Sequence, residues 1–249
     1  MFEHLSEVID QRYSERKYEH DFRLSDEQKV MIEAKMKELL SSAYEINIDL
    51  IENTDDNLFK GFILSYGKVN APYMLVFSGK KQDIETAFKV GQLAELLVLE
   101  LTLLGLQTCF VSGTYKGSEV LSRIQMADDY EIYVTVALGK AKAVWVNPQH
   151  KRKDVEDIAK FMPRKSAAWI YTALEAARLA PSALNRQPAR FMVDMDQHVT
   201  AYPAKESVAQ YLDLGIAAAN FQVAAEEHGH VGDWVRREGQ YYFLLEKSE

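Results

Sequence analysis

One long segment, from about Asp83 to Leu104, constrains the fold more than any other part of the sequence. Its second half, from Leu93 onward, is apolar nearly all the way round a helix, which leaves no wide face for water. Glu95 and Glu100 interrupt this run, and it is shorter than the ~20 residues that a membrane span requires. The segment therefore predicts a helix buried on most sides within a globular protein, with Gly105 closing it.

A second long helix, predicted from Ser207 to His228, has a similar pattern in the second half of the chain. Gly215 lies inside it and Gly229 follows 14 positions later, and Gly91 and Gly105 have the same spacing in the first helix. Two glycines at a fixed spacing occur by chance. Both helices, however, also follow a short predicted strand and lead into another, and this shared order predicts a duplicated chain.

The remaining periodicity predicts further helices and strands along the chain. Ser25 and Gln28 have the spacing of a capping box and begin a helix that runs to about Leu40. The side chains of this helix predicted to face the core are Met31, Ala34 and Leu39. Strands are predicted at 44–50, 73–77, 108–111, 131–138, 191–193, 199–202, 231–235 and 241–245.

The junction between the two halves is marked by Pro148 and the basic run Lys151–Lys153. We assign residues 1–153 to a first half-copy and residues 154–249 to a second, which begins its main helices at 167–179. The two halves are expected to depend on each other, with the long helices at the core between them.

Charge and cysteine content exclude several classes of protein. The 249 residues include 29 Lys and Arg against 37 Asp and Glu, a net charge of −8, which argues against a nucleic-acid-binding protein. The single cysteine, Cys109, cannot form an internal disulfide and is expected to be a small buried residue. Low cysteine content and a charged N-terminal segment predict a cytoplasmic protein without a membrane partner.

Arg12 and Arg16 form the first candidate binding motif, with Ser14 between them. Two guanidiniums and a hydroxyl can converge on one phosphate, because the planar guanidinium donates paired hydrogen bonds to such an anion. The alternative is an ordinary charged surface in which Glu15 and Glu19 are ion-pair partners.

A second candidate is the loop from Pro181 to Pro188, where two prolines end a helix. Ser182, Asn185 and Gln187 could present donors and acceptors to a flat polar ring, or they could satisfy the backbone of the loop itself. Two weaker candidates are the basic run Lys151–Lys153, which could equally be a solvated face, and Ser112 with Gly113 after a strand. Gly113 permits close approach to a ligand or serves as a turn residue.

Other chemistries lack their motifs. The sequence contains no G-x-G-x-x-G, no G-x-x-x-x-G-K-[ST] and no G-x-S-x-G pattern. The histidines form no H-E-x-x-H pattern, so we expect no metal site and no serine hydrolase.

Taken together, the chain resembles the nitroreductase family of FMN-dependent oxidoreductases. In that family the A-P-S-x-N-x-Q-P loop comes early, whereas here A-R-x-A-P-S-x-x-N-x-Q-P stands in the second half. The chain therefore resembles a fused branch of two half-copies, in which one polypeptide mimics the family dimer. The resemblance implies an α+β fold with three αβα layers, in which a mixed, mostly antiparallel sheet is flanked by helices. The segments that carry the resemblance are Arg12–Arg16, Leu104–Gly113, Val136–Gly139, Lys151–Lys153 and Ala177–Pro188.

The resemblance implies one FMN that takes residues from both halves. Arg12 would bind the phosphate, with contacts from Tyr13 and Ser14, and Arg16 would stabilise the charge that develops on the reduced ring. The Ser112–Gly113 backbone would lie near the ring nitrogen that accepts hydride. The other implied contacts are Arg152 and Lys153 to the phosphate, and Pro181, Ser182, Ala183, Asn185 and Gln187 to the ring. No side chain acts as acid or base, because the flavin carries the chemistry.

The implied activity is transfer of hydride from NADH or NADPH to a nitroaromatic, a quinone or a similar flat acceptor, by a ping-pong mechanism. Alternatives are a flavin-binding protein or a relic without turnover, and a biosynthetic branch of the same superfamily. The pseudo-symmetric second site is expected to be degraded, because 164–166 and 41–44 only partly match the motifs. One FMN per chain is thus expected, and a monomer is compatible with the pseudo-dimer.

Overall fold

The fold is described from a computed structural model, which covers residues 5–41, 43, 45–54, 58–59, 69–143, 151–162 and 166–246. The chain divides into two compact units. Unit I comprises Met1–Asp10, Ala87–Leu96 and Gln149–Glu249, and unit II comprises Gln11–Thr86 and Leu97–Pro148. Each unit is described by itself below. The predicted echo of the motifs at 164–166 and 41–44 falls mostly outside the described residues.

Unit II is built around a four-stranded antiparallel sheet. Its elements are α1 (Asp26–Leu40), β1 (Ile46–Glu52), β2 (Tyr73–Lys80), both ends of α2 (Ile84–Leu103), β3 (Gln107–Val111), α3 (Gly117–Leu121) and β4 (Tyr130–Gly139). The strand order is β1-β2-β4-β3. The central strand β2 is buried throughout except for its last residue, Lys80, which explains its continuous apolar sequence.

Unit I holds a five-stranded sheet and the middle of α2. Its other elements are a short 3₁₀ helix (Ser6–Val8), α4 (Val155–Ile158), β5 (Ala159–Phe161), α5 (Ala168–Arg178), a second 3₁₀ turn (Ala183–Asn185), β6 (Ala189–Val193), β7 (Val199–Pro203), α6 (Val208–Glu227), β8 (Gly232–Arg237) and β9 (Gln240–Leu245). The strand order is β5-β6-β7-β9-β8, and only the β5–β6 pair is parallel. The predicted α+β class with mostly antiparallel strands is confirmed, with the described strands divided between two sheets.

The capping box predicted for α1 is present. The Gln28 amide donates to Ser25 Oγ at 3.2 Å and the Ser25 amide donates to Gln28 Oε1 at 3.1 Å. The prediction of which face of α1 meets the core was wrong, because Ile32 and Met36 are the buried residues. The residues predicted there instead include Met31, which is 48% exposed, and the exposed Ala34, with Leu39 half-buried.

The long helix α2 is buried as predicted, and Leu93, Leu97 and Leu99 are at most 1% exposed. It ends at Gly105, whose φ of +73° is left-handed and favours glycine. The Leu106 amide then donates to the Leu101 carbonyl at 2.9 Å. No helix in the described part of the chain is long and apolar enough to span a membrane.

The two sheets share one topology. Without β5 at its edge, the unit I order β6-β7-β9-β8 repeats the unit II order β1-β2-β4-β3, with the same antiparallel neighbours. The helices α2 and α6 are both 20 residues long and begin 124 positions apart. The hydrogen bonds that close the two helices have the same offset. The Leu106 amide donates to the Leu101 carbonyl, and the His230 amide donates to the Ala225 carbonyl.

Within unit I, α6 crosses the middle of α2 at two glycines. A Cβ on Gly91 would overlap the Leu212 carbonyl oxygen, and a Cβ on Gly215 would overlap the Phe88 carbonyl oxygen. Each glycine thus meets the carbonyl three residues before the other. A reciprocal contact of this kind is the signature of a two-fold relation between the two helices.

Candidate functional site

In unit II, the segment from Arg12 to Arg16 lies against the start of β3. Ser14 pairs with Thr108 in a parallel bridge, and the Glu15 amide donates to the Thr108 carbonyl at 2.9 Å. This pairing fixes the backbone of the motif.

Glu15 holds the turn at the end of the motif. Its carboxylate oxygen Oε1 accepts the amides of Arg16 and Lys17, each at 2.7 Å, and the residue is buried. The buried Tyr18 hydroxyl donates to the Glu15 carbonyl at 3.0 Å, and burial raises the pKa of that hydroxyl well above its usual range. Sequence reasoning had assigned Glu15 only a possible ion-pair role, because its backbone partners depend on the turn.

Arg12, Ser14 and Arg16 lie near Cys109 of β3. Burial raises the pKa of the Cys109 thiol, and the charges of Arg16 and Arg12 and a hydrogen bond from Ser14 oppose that rise. Arg12 is only 3% exposed, whereas Arg16 is exposed. The Arg12 guanidinium and the Ser14 hydroxyl, two residues apart on one segment, are donors of the kind that fit the phosphate of the implied FMN. Cys109 itself is a buried free cysteine, as predicted.

Ser112 and Gly113 lie beyond the other end of β3 and are exposed. Ser112 is four residues from Thr108 and Gly113 is five, a span of about 13–17 Å at ~3.3 Å per residue, so they do not join the arginine group. A Cβ on Gly113 would meet no atom within 4 Å. The open space in front of this backbone is compatible with a ligand, and no packing contact requires glycine there.

In unit I, the loop Pro181–Pro188 is joined to the basic run Lys151–Lys153 by side chains of both. Arg152 Nη1 donates to Asn185 Oδ1 at 2.8 Å, and its Nε and Nη2 donate to the Leu179 carbonyl at 3.3 and 3.2 Å. Asn185 Nδ2 donates in turn to the Lys151 carbonyl at 2.9 Å. The guanidinium predicted to reach the phosphate is thus engaged with the loop.

Gln187 is engaged in the same way. Its Oε1 accepts the Lys153 amide at 2.7 Å, its Nε2 donates to the Asn185 carbonyl at 3.1 Å, and its own amide donates to Ser182 Oγ at 2.9 Å. Lys153 Nζ lies 3.4 Å from the Gln187 carbonyl. Ser182, Asn185 and Gln187 therefore satisfy the loop and its neighbour, which was the alternative to ligand recognition.

The loop has a strained backbone. Leu184, Asn185 and Gln187 have φ values of +57°, +54° and +50°. Asparagine tolerates this left-handed region, but for Leu184 and Gln187 it costs roughly 1–2 kcal/mol each. The hydrogen bonds around the loop offset that cost.

Asp213 of α6, which sequence reasoning missed, supports the start of the loop. Both of its carboxylate oxygens accept the Ala183 amide, at 3.0 and 3.3 Å. The residue is 5% exposed, and burial raises the pKa of its carboxyl to about 6. Asp213 borders a cavity of about 20 Å³ with Pro181, Ser182 and Gln187, which has room for about one water molecule. In the described residues no three His, Cys, Asp or Glu side chains are grouped to hold a metal ion.

Solved structures of other proteins have a similar fold. The fold is similar to the crystal structure of a "putative nitroreductase" from Thermotoga maritima MSB8, with a TM-score of 0.70 and 18% identity over 97% of this chain and 93% of that chain. A Bacillus subtilis "putative nitroreductase" has a TM-score of 0.48 and 16% identity over 65% of this chain and 100% of that one. A Staphylococcus epidermidis "putative NAD(P)H:FMN oxidoreductase" has a TM-score of 0.48 and 15% identity over 64% of this chain and 95% of that one.

No curated protein sequence matches the chain. The family model described as "Putative TM nitroreductase" matches residues 4–225. Since that range spans most of the 249 residues, the chain belongs to this nitroreductase family.

Proposed function

We propose that the protein is an FMN-dependent oxidoreductase that takes hydride from NADH or NADPH and reduces a nitroaromatic, a quinone or a similar flat acceptor in a ping-pong sequence. Family membership supports the proposal. The observation that carries it is the grouping of Arg12, Ser14 and Arg16 at the start of β3, around Cys109.

In this proposal Arg12 and Ser14 bind the FMN phosphate, and Tyr13 contributes a further contact. Arg16 is exposed, whereas Arg12 is buried, and Arg16 is proposed to stabilise negative charge on the ring. Bound FMN supplies the hydride-transfer chemistry, and the chain positions it and excludes water. The loop residues Pro181–Gln187, the basic pair Arg152 and Lys153, and Ser112 with Gly113 remain predicted contacts, each to be tested separately.

The first test is the visible absorption spectrum of the purified protein, followed by FMN titration of variants. Arg12→Ala and Arg16→Ala are expected to weaken FMN binding at least tenfold, because a charge-assisted bond is worth about 1.5–3 kcal/mol. Asn185→Ala tests the loop independently. Arg23→Ala is the matched control, since Arg23 is exposed and pairs with Glu52 at 3.2 Å. Unchanged FMN binding in all three site variants would contradict the assignment.

A flavin-binding protein or relic without turnover is the second candidate. It is favoured by the engagement of Arg152, Asn185 and Gln187 with one another, which leaves fewer donors for a ligand. A coloured protein that NADH and NADPH do not bleach would identify a binder. A protein that is colourless after incubation with excess FMN and removal of the unbound FMN would identify a relic.

We also infer that the chain arose by internal duplication. The inference is supported by the shared sheet order, by the 124-residue offset between α2 and α6, and by the reciprocal contacts of Gly91 and Gly215. The copies differ where Asp213 supports the loop, because the equivalent position 124 residues earlier is Lys89, which has no acceptor. This difference supports one FMN per chain, and two per chain in the fully loaded protein would refute it. The cytoplasmic location and monomeric state stay predictions.

A further inference from the structure

Asp213 stands out among the buried residues of α6. It is the only charged residue among them, and α6 is described over its whole length. Burying a carboxylate is unfavourable unless hydrogen bonds or charges compensate, so its position requires a partner. Both oxygens are directed at the amide of Ala183, the first residue of the 3₁₀ turn in the loop.

The loop depends on bonds from outside itself. Its left-handed residues Leu184 and Gln187 are strained. Its internal bonds run from the amides of Asn185, Arg186 and Gln187 back to Ser182 and Ala183, and none of them uses the amide of Ala183. The backbone of the basic run Lys151–Lys153 binds two side chains of the loop. The Lys151 carbonyl accepts from the Asn185 side chain, and the Lys153 amide donates to the Gln187 side chain. Among the described residues, Asp213 is the side chain from outside the loop that accepts the Ala183 amide.

The surroundings of Asp213 leave it sensitive to protonation. Arg186 of the loop is the charged group whose field acts on it, and Arg178 of α5 borders the same cavity. The neighbours from α4, β6 and α6 at this cavity are apolar: Ile158, Ala189 and Ala217. Burial outweighs the Ala183 bond and the Arg186 charge and raises the pKa of the carboxyl to about 6.

We propose that ionised Asp213 is the positioning residue of the Pro181–Pro188 loop, and that its protonation loosens the loop. An ionised acceptor forms a stronger bond with an amide than a neutral one does. The loop is therefore held more firmly above about pH 6 than below it. Resting on the proposed function, the same residue makes FMN retention depend on pH without touching the flavin.

The test compares wild type with Asp213→Asn, which keeps an acceptor and removes the charge. Amide hydrogen exchange over 181–188, measured without FMN at pH 7.5, is expected to be about five- to tenfold faster in the variant. Asp196→Asn is the matched control, because Asp196 is exposed and lies outside the loop. It should exchange over 181–188 at the wild-type rate. Equal exchange in Asp213→Asn and wild type would overturn the proposal.

A second measurement needs no variant. Exchange of the wild-type loop, divided by that of an unstructured reference peptide at each pH, should rise several-fold as the pH falls from 8 to 5. A flat ratio contradicts the proposal even if Asp213→Asn fails to fold.

FMN titration separates this proposal from the proposed function. The wild-type dissociation constant is expected to rise several-fold more from pH 8 to pH 5 than that of Asp213→Asn, in which the change comes from the phosphate of FMN, whose second pKa is about 6. A wild-type protein that binds no FMN refutes the proposed function, while loop exchange still decides the role of Asp213. A variant that keeps the wild-type pH profile of FMN binding overturns the link from Asp213 to the flavin.

Discussion

Two buried carboxylates, Glu15 and Asp213, organise the backbone of the two motifs at the scale of single residues. Glu15 accepts the amides of Arg16 and Lys17, and Asp213 accepts the amide of Ala183. Arginines make the first motif recognisable in the sequence, and prolines with amide side chains make the second recognisable. The two supporting acids are not recognisable in this way, because their partners are backbone amides whose positions only the fold decides.

The buried charge of Asp213 gives a stability prediction with a definite sign. Its pKa rises from the ordinary 3.8 to about 6 on folding, which corresponds to about 3 kcal/mol against the ionised form. Between these values the folded state binds more protons than the unfolded state, so stability falls as the pH rises through pH 4–6. Asp213→Asn should therefore be about 1–3 kcal/mol more stable than wild type at pH 7.5, and the advantage should vanish near pH 4.

Urea unfolding of both proteins at several pH values measures this difference. Asp196→Asn should follow wild type throughout. An Asp213→Asn variant that is less stable than wild type at pH 7.5 would contradict the prediction. If Asp213→Asn is more stable than wild type while its loop exchanges faster, the wild-type protein has lower stability in return for a better-positioned loop.

At the scale of elements, helix length and capping were predictable and helix orientation was not. Ser25 and Gln28 start α1 as the sequence indicates, and Gly105 and Gly229 end the two long helices with φ of +73° and +79°. These are local signals. The face of α1 was mispredicted because its apolar residues are spread around the helix, and packing selects Ile32 and Met36. The all-round apolar α2 left no such choice.

The crossing of α2 and α6 gives a prediction at this scale. Gly215→Ala places a methyl group against the Phe88 carbonyl, and helix backbone cannot move aside as a side chain can. We expect a loss of about 1–3 kcal/mol in the free energy of unfolding, although alanine favours helix by about 1 kcal/mol. Gly117→Ala in α3 is the control, because its Cβ meets no atom within 4 Å.

Urea denaturation decides between the outcomes. The Gly91→Ala variant should behave like Gly215→Ala, since the contact is reciprocal. If either variant is as stable as wild type, the result would contradict the close approach of the α2 and α6 backbones.

At the scale of the whole molecule, the two predicted half-copies do not coincide with the two compact units. Unit I takes Ala87–Leu96 from the first range and combines it with Gln149–Glu249. There Phe88 stacks on Tyr241 with ring centroids 3.5 Å apart, and Gly91 meets the α6 backbone. The duplication stays a proposal, but its halves share a helix, which accords with the expectation that they depend on each other.

A fragment of residues 154–249 should therefore fail to fold. It lacks the part of α2 that packs on Leu212 and Tyr241, and the uncovered α6 would expose a continuous apolar face. We expect no cooperative thermal transition by circular dichroism and strong binding of a hydrophobic dye, in contrast to the full chain. A fragment that melts cooperatively would show that the second range is an independent domain.

The sequence by itself determined the long helices and most of the strands, the burial of α2, the repeated order of these elements and the two motifs at Arg12–Arg16 and Pro181–Pro188. These follow from periodicity, caps and residue chemistry, which act over a few neighbouring residues. Only the tertiary structure decided that Arg12 and Arg16 lie near Cys109, that the Arg152 guanidinium donates to Asn185, and that the Asp213 carboxylate accepts the Ala183 amide. Each of these contacts joins residues that are close in space but distant along the chain, and no local pattern encodes such a pairing.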